Sequence, residues 1–195
     1  MLLTVLLVIV IGLGLYVLTV YNGLVTNRVR IKAAIQEIGN QLKRQADLIP
    51  NLEQSAHAYL KHEKAIFDKL TSARKAVEAA VKSGDLKQMS QADDKVQALV
   101  GGLRVILESN PEMKGADVIG QLMEELRDTA DKVMYSRRTL IDLTADYNTQ
   151  LSTFPSNLIA TAFQFTPEAG LETPTGGDFL KVASEETKTP RVKLE

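Results

Sequence analysis

The chain has 195 residues, with 23 Lys and Arg against 24 Asp and Glu, and it contains no Cys and no Trp. A net charge of −1 argues against a nucleic-acid-binding protein, because such proteins normally carry a strong basic excess. The lack of Cys excludes disulfides, thiolate metal ligands, cysteine nucleophiles and a lipidated N-terminal cysteine. Aliphatic residues dominate the apolar set, which favours one slim helical bundle with appendages over a sheet-rich core.

The first 22 residues are predicted to be a transmembrane anchor. Residues 1–21, MLLTVLLVIVIGLGLYVLTVY, hold no charged side chain, and the first one along the chain is Arg28. About 20 helical residues are enough to cross the hydrocarbon core of a bilayer. The alternative is a cleaved signal peptide, which needs a basic start and a small-residue cleavage site, and neither is present. We therefore expect a retained single-pass anchor in the cell membrane.

The charges that follow the anchor predict its orientation. Residues 24–48 hold five basic side chains and two acidic ones, and only the terminal amine is basic before the anchor. The positive-inside rule then places the N-terminus outside and the bundle in the cytoplasm. A periplasmic or extracellular bundle is the alternative. Arg28, Arg30 and Lys32 are candidate contacts to anionic lipid, at about 1 kcal/mol each, or they serve topology alone.

A helical stripe follows the anchor. Its apolar positions advance in steps of three and four, which is typical of a helix that buries one face. Gln45 and Glu63 are the only polar residues on this track. The predicted buried positions are Ile31, Ile35, Ile38, Leu42, Ile49, Leu52, Ala56, Tyr59, Ile66, Leu70, Ala73, Val77 and Ala80.

Pro50 lies inside this stripe and allows two geometries. The chain could reverse there, with Asp47 as the N-cap and Pro50 in a first turn, or one helix could continue with a kink. Residues 43–46 offer no turn former, and the stripe keeps its phase across the proline. We therefore favour the kinked continuous helix, with residues 45–55 helical and the first reversal near residues 61–64.

Two further helices are predicted after a turn at residues 83–85. Gly84 suits a left-handed position and Asp85 suits an N-cap. The second stripe ends before Pro111 and contains a Gly pair, Gly101-Gly102, which indicates close packing or a flexible joint. A third run ends at residues 154–155. The apolar positions of these runs are Leu86, Met89, Val96, Val100, Leu103 and Leu107, with Asp93 as the weak point, and then Ile119, Leu122, Leu126, Ala130, Val133, Leu140, Tyr147 and Leu151.

Beyond residue 165 the composition changes to Pro, Gly, Thr and Glu with few large apolar residues. Such a segment buries too little surface to offset its ordering entropy. Residues 166–195 are therefore predicted to be a disordered tail. The short apolar run at residues 178–182 within it is either a docking peptide or a chance cluster, and we favour chance.

The search for reactive groups gives no catalytic site. His62-Glu63 begins like the zinc motif HExxH, but position 66 is Ile, so the motif is incomplete. The sequence holds no phosphate-binding glycine loop, no GxSxG nucleophile elbow and no Glu-x-x-His pair of a di-metal bundle. We expect no enzymatic activity, no metal site and no cofactor.

Several motifs together resemble the LemA family. The apolar N-terminal run is followed by YNGLV at residues 21–25, QLKRQADLIPNL at 41–52 and AYLKHE at 58–63. SAR at 72–74, SRR at 136–138, DYN at 146–148 and FPSNLIA at 154–160 then occur in the same order. The resemblance covers about residues 15–165, and the two longest motifs make it specific.

The resemblance implies an all-α protein: an antiparallel four-helix bundle over residues 23–165, on an anchor at residues 1–22. The chain departs from the family pattern after Arg138, at Asn110, at Gly101-Gly102 and in the tail. The signature positions, which we expect to be structural or to lie at an interface, are Arg44, Asp47, Pro50, Asn51, Arg74, Arg137, Tyr147, Asn148, Pro155 and Asn157.

The resemblance implies no settled biochemical activity. The family is similar to proteins involved in forming magnetosome membranes, and its members often occur beside membrane metallopeptidases. We expect a non-enzymatic scaffold on the bilayer that self-assembles or docks partners in membrane organisation or remodelling. The alternative is an adaptor or accessory subunit of a membrane protease or a stress-sensing system.

Overall fold

A computed structural model describes residues 1–57, 64–109 and 117–171. Over these residues the chain is helical, without strands, and the predicted all-α class is confirmed. Its five described helices are α1 (Leu2–Ala56), α2 (Lys64–Ser83), α3 (Leu86–Ser109), α4 (Asp117–Ser152) and α5 (Ser156–Ala162).

Helix α1 continues through Pro50 and ends at Ala56, so residues 45–55 are helical as predicted and the reversal alternative is wrong. Proline removes one backbone hydrogen bond from the helix. The buried stripe offsets that loss, since Leu42 and Ile49 on either side are both fully buried. The kink itself stays a prediction. Helix α2 begins at Lys64, and most of the predicted turn at residues 61–64 lies outside the described residues.

Helices α1 to α4 pack as an antiparallel bundle. Contacts join α1 to α2 and α4, and α3 to α2 and α4. Late positions of α1 face early positions of α2: the rings of His57 and Phe67 lie 5.5 Å apart, and the Glu53 carboxylate lies 3.5 Å from Arg74. Each apolar stripe therefore faces the same central core.

The turn between α2 and α3 forms as the sequence predicts. Gly84 adopts a left-handed φ of 66°, and a carboxylate oxygen of Asp85 accepts a hydrogen bond from the Gln88 N–H at 2.8 Å. The Gly101-Gly102 pair does not interrupt α3. A Cβ atom at Gly102 would lie 3.1 Å from Ile66 Cδ1, which supports close packing of α2 on α3.

The core is aliphatic, with a few polar side chains inside it. Nearly all described stripe positions are buried or pack against the core, including the predicted weak point Asp93, which is fully buried. Gln45 is also fully buried, and neither of its amide atoms has a hydrogen-bond partner among the described residues. Tyr59 and Glu63 lie outside the described residues.

Helices α2 and α3 are shorter than α1 and α4. A Cβ atom at Gly39 would lie 3.7 Å from Met89 Cε, close to the start of α3, so the α2–α3 hairpin accompanies only the later part of the bundled α1. The earlier part of α1 packs against α4 and α5. Helix α5 was not predicted, because seven residues are too short to reveal a helical period.

The predicted tail begins too early. Residues 166–171 lie against the bundle instead of being disordered: Leu171 packs against the core, and Glu168 bonds to two helices. Hydrogen bonds to the backbone of this segment replace the apolar burial that its composition lacks. Residues 172–195, including residues 178–182, lie outside the described residues.

Candidate functional site at the base of the bundle

The base of the bundle brings together distant parts of the chain. We define the base as residues 21–28 of α1, the end of α4 from Tyr147, helix α5 and residues 163–171. Two parts of the chain that are separated by more than 100 residues in sequence meet here, since Asn27 Nδ2 lies 3.4 Å from Gln150 Oε1. The base also lies where the exposed apolar run of α1 gives way to the packed bundle, because Leu24 is its first fully buried residue.

Two signature residues of α4 hold the segment that follows α5. The Tyr147 hydroxyl donates to the Thr166 carbonyl at 3.1 Å. The Asn148 amide donates to the Glu168 carbonyl at 3.0 Å and accepts from the Glu168 N–H at 3.1 Å. An asparagine side chain carries both a donor and an acceptor, so it can pair with both backbone groups of one residue. This pairing gives the DYN motif a structural role.

Glu168 also connects the segment to α1. Its Oε1 lies 2.7 Å from Arg28 Nε, and the hydrogen bond and charge of Glu168 raise the pKa of Arg28. Arg28 was predicted as a lipid contact, and the structure gives its guanidinium a protein partner. Arg30 and Lys32, the other two candidates, are exposed.

Burial raises the pKa of Tyr147, and the nearby positive charge of Arg28 opposes this only in part. A phenol is protonated at neutral pH even at its ordinary pKa of about 10, and a raised pKa extends this state to higher pH. The hydroxyl therefore remains a hydrogen-bond donor to the Thr166 carbonyl.

Aromatic side chains close the base around Tyr21. Its ring centroid lies 4.9 Å from that of Phe163 and 5.6 Å from that of Phe165. A shallow groove of about 320 Å³ runs beside these rings, and its lining includes Val25, Arg28 and Lys32 as well as the aromatic residues. The groove is open and mixed in polarity.

The turn after α5 aims these aromatic side chains at α1. The Phe165 N–H donates to the Ala160 carbonyl at 2.9 Å, and the Gln164 N–H donates to the Thr161 carbonyl at 3.1 Å. This pair of bonds is a Schellman motif, and Gln164 takes its left-handed position with a φ of 56°. Glycine is the usual residue there, so the chain ends α5 at some cost in backbone strain.

A second polar cluster joins α4 to the start of α3. Arg137 lies 2.6 Å from an Asp93 oxygen and 3.1 Å from Asp94, and it donates to the Ser90 hydroxyl at 2.6 Å. Burial raises the pKa of Asp93, and the hydrogen bond from Arg137 opposes that rise without cancelling it. Burial lowers the pKa of Arg137, but the two carboxylates outweigh it and the net pKa is raised. The signature residue Arg137 thus compensates a charge inside the core.

The remaining signature residues do not meet at one place. Arg44 pairs with Glu125 of α4 at 3.4 Å, and Arg74 pairs with Glu53 of α1 at 3.5 Å. The others are exposed or partly exposed: Asp47, Pro50, Asn51, Pro155 and Asn157. The signature residues that make side-chain contacts thus divide between the base, the Arg137 cluster and helix-to-helix ion pairs.

Within residues 1–57, 64–109 and 117–171, no group of three or more His, Cys, Asp or Glu side chains is placed to hold a metal ion. Tyr21, Phe163 and Glu168 were not predicted from the sequence as base residues. The scarcity of aromatic residues in the chain could have drawn attention to Phe163 and Phe165. No pattern in the sequence around Glu168 indicates that it contacts Arg28 and Asn148.

These features define a class of protein: an antiparallel helical bundle that continues from a long N-terminal helix whose apolar part contains no buried residue. The family model of the LemA family matches residues 34–193, and the chain belongs to this family. The match begins later than the resemblance in the sequence motifs and continues well past residue 165. No curated protein matches the chain.

Proposed function

We propose that the protein is a non-enzymatic, membrane-anchored scaffold that self-assembles or docks partners in membrane organisation or remodelling. One observation carries the proposal: α1 holds an uncharged apolar run whose side chains are exposed, and the same helix then enters the bundle core without interruption. Exposed apolar side chains over this length fit a bilayer. The orientation with the bundle in the cytoplasm remains part of the proposal.

The surface of the bundle supports binding over catalysis. Its charged side chains form ion pairs between and along helices, such as Arg44 with Glu125 and Lys132 with Asp128. Large apolar side chains are exposed on the same surface, including Val105 and Tyr135 at 65% and 73%. Exposed apolar side chains of this kind are a means of contact with a second copy or a partner.

The anchor is tested by alkaline extraction of membranes that contain the full chain. The wild-type protein is expected to stay with the membrane pellet. The double variant Leu7→Arg and Ile11→Arg is expected to move to the supernatant, because a buried arginine in a bilayer is costly. Val105→Arg changes an equally exposed apolar residue of the bundle and is the matched control, which is expected to stay in the pellet. Release of the wild-type chain would contradict the anchor.

Self-assembly is tested by light scattering of the full chain in detergent at micromolar concentration. The proposal expects homo-oligomers, and a strict monomer contradicts the self-assembling scaffold. Affinity purification from native membrane distinguishes the adaptor of a membrane protease. A stable complex with such a protease supports the adaptor, and recovery of copies of the same chain alone argues against it.

A further inference from the structure

Three large apolar side chains at the corner between α4 and α5 point to a ligand surface of their own. Phe154, Leu158 and Phe163 are 76%, 61% and 53% exposed, and we call these three side chains the foot. They surround a helix whose opposite face is buried, since Ile159 and Ala160 pack inward. Helix α5 therefore lacks the usual polar outer face, because its apolar residues are divided between the core and the outside.

The foot lies at the level where the apolar run of α1 ends. The ring of Phe163 lies 4.9 Å from that of Tyr21, the last residue of this run. Val20, one residue earlier, packs against the core. Phe163, the residue after α5, therefore contacts the final turn of the apolar run, in which Leu18 is 58% exposed.

The sequence around the foot has no charge to desolvate. Between Asp146 and Glu168 the chain has no Asp, Glu, Lys or Arg. Transfer of a charged group out of water is far more costly than transfer of an uncharged polar or apolar one, so this stretch can approach a less polar phase without that penalty. The exposed cations Arg30 and Lys32 lie about two to three turns further along α1 than Tyr21, on the side away from the apolar run. An apolar level followed by a cationic level matches the order of acyl chains and anionic headgroups.

We propose that the foot is a second, peripheral contact with the bilayer that holds α1, with Phe154, Leu158 and Phe163 in the boundary between headgroups and acyl chains. This proposal rests on the membrane anchoring of the proposed function. The occupant of the foot is lipid, because Phe163 of the foot contacts Tyr21 at the end of the apolar run and the foot shares the lack of charge of that run. Two separate points of contact fix the tilt of the bundle relative to the membrane.

The test uses fluorescent labels on introduced cysteines. The labels attach only at the chosen positions, because the chain itself contains no Cys. Leu158→Cys, Leu13→Cys and Val105→Cys each receive an environment-sensitive label in the otherwise unchanged full chain. Leu13 reports the anchor, and Val105 is the matched control, since its 65% exposure resembles the 61% of Leu158. The labelled proteins are placed in vesicles of phosphatidylcholine and phosphatidylglycerol, with either brominated lipid or aqueous iodide as quencher.

If the foot contacts lipid, brominated lipid should quench the label at Leu158 several-fold more than the label at Val105. The label at Leu13 should be quenched as well. Iodide should quench the label at Val105 several-fold more than that at Leu158. If Leu158 responds only to iodide while Leu13 responds to lipid, the foot is overturned and the anchor stands. If Leu13 itself fails to respond to lipid, the anchored scaffold is overturned together with the foot.

A second variant distinguishes lipid contact from burial within the protein. Leu158→Asp is combined with Phe154→Cys, and the lipid quenching of the label at Phe154 is expected to fall several-fold. Val105→Asp in the same background is the matched control and should leave the quenching unchanged. Equal quenching with and without Leu158→Asp overturns the foot, because a charge in the contact would then have no effect on it.

Discussion

The upper bundle and the base are built from different interactions. In the upper bundle, where all four long helices run together, aliphatic side chains such as Leu42, Leu70 and Leu103 are fully buried and set the packing. At the base, aromatic contacts of Tyr21 and side-chain hydrogen bonds to backbone, such as those of Asn148, join α1, α4 and the segment that follows α5. Repetitive burial fixes helices side by side, while specific polar pairing is needed to hold a segment without regular structure.

The largest expected effect lies where the two regions adjoin. Arg137→Ala removes the partner of the fully buried Asp93. Breaking such a pair from one side costs about 3–5 kcal/mol, because a charge remains buried without compensation. Chemical denaturation of the full chain in detergent measures the free energy of unfolding.

The double variant Asp93→Ala and Arg137→Ala is the control for this pair. It should lose less stability than the sum of the two single variants, since neither charge is then left alone. Losses that simply add would show that the two side chains act independently.

Leu42→Ala tests the aliphatic half of the comparison. Leu42 is fully buried in the upper bundle, and its truncation should lower the free energy of unfolding by about 2–5 kcal/mol. Lys43→Ala, the next residue and an exposed one, should change it by less than about 0.5 kcal/mol. Circular dichroism during denaturation measures both, and similar losses in the two variants would contradict the assigned core.

Asn148→Ala should loosen the base and leave the upper bundle unchanged. It removes both hydrogen bonds to the backbone of Glu168, so the Glu168 amide should exchange with solvent about tenfold faster. The amide of Leu103, in the buried part of α3, is the internal reference and should keep its exchange rate. Faster exchange at both positions would mean that the two regions unfold together.

Gln164→Gly is expected to give the smallest effect, and it has the opposite sign. Relief of the left-handed φ of Gln164 should stabilise the turn after α5 by at most about 1 kcal/mol, partly offset by the greater backbone entropy of the unfolded chain. Gln91→Gly, at an exposed position inside α3, is the matched control and should destabilise by about 1 kcal/mol. Thermal unfolding distinguishes the two signs, and a loss at both positions would contradict strain at Gln164.

The upper bundle could be predicted from the sequence, since a stripe with a period of three to four residues appears directly in the order of Leu42, Ile49 and Leu52. The stripe keeps its phase across Pro50, and this correctly predicted that α1 continues through the proline. The base could not be predicted in this way. Side-chain bonds to backbone, as from Asn148, leave no periodic trace in the sequence of the segment that receives them. The signature motif marked Tyr147 and Asn148, but their partner segment has the composition of a tail.

Because α1 is uninterrupted, it fixes both the distance of the bundle from the apolar run and the rotation of the bundle about the helix axis. From residue 22 to residue 56 the helix rises about 50 Å, at about 1.5 Å a residue, and it turns about 100° with each one. The number of residues between the apolar run and the first buried turn therefore determines which flank of the bundle faces a neighbouring molecule. One residue inserted at Gly23 would swing every flank by about 100° relative to the apolar run. The number of residues in this short stretch therefore determines the direction in which each flank of the bundle faces.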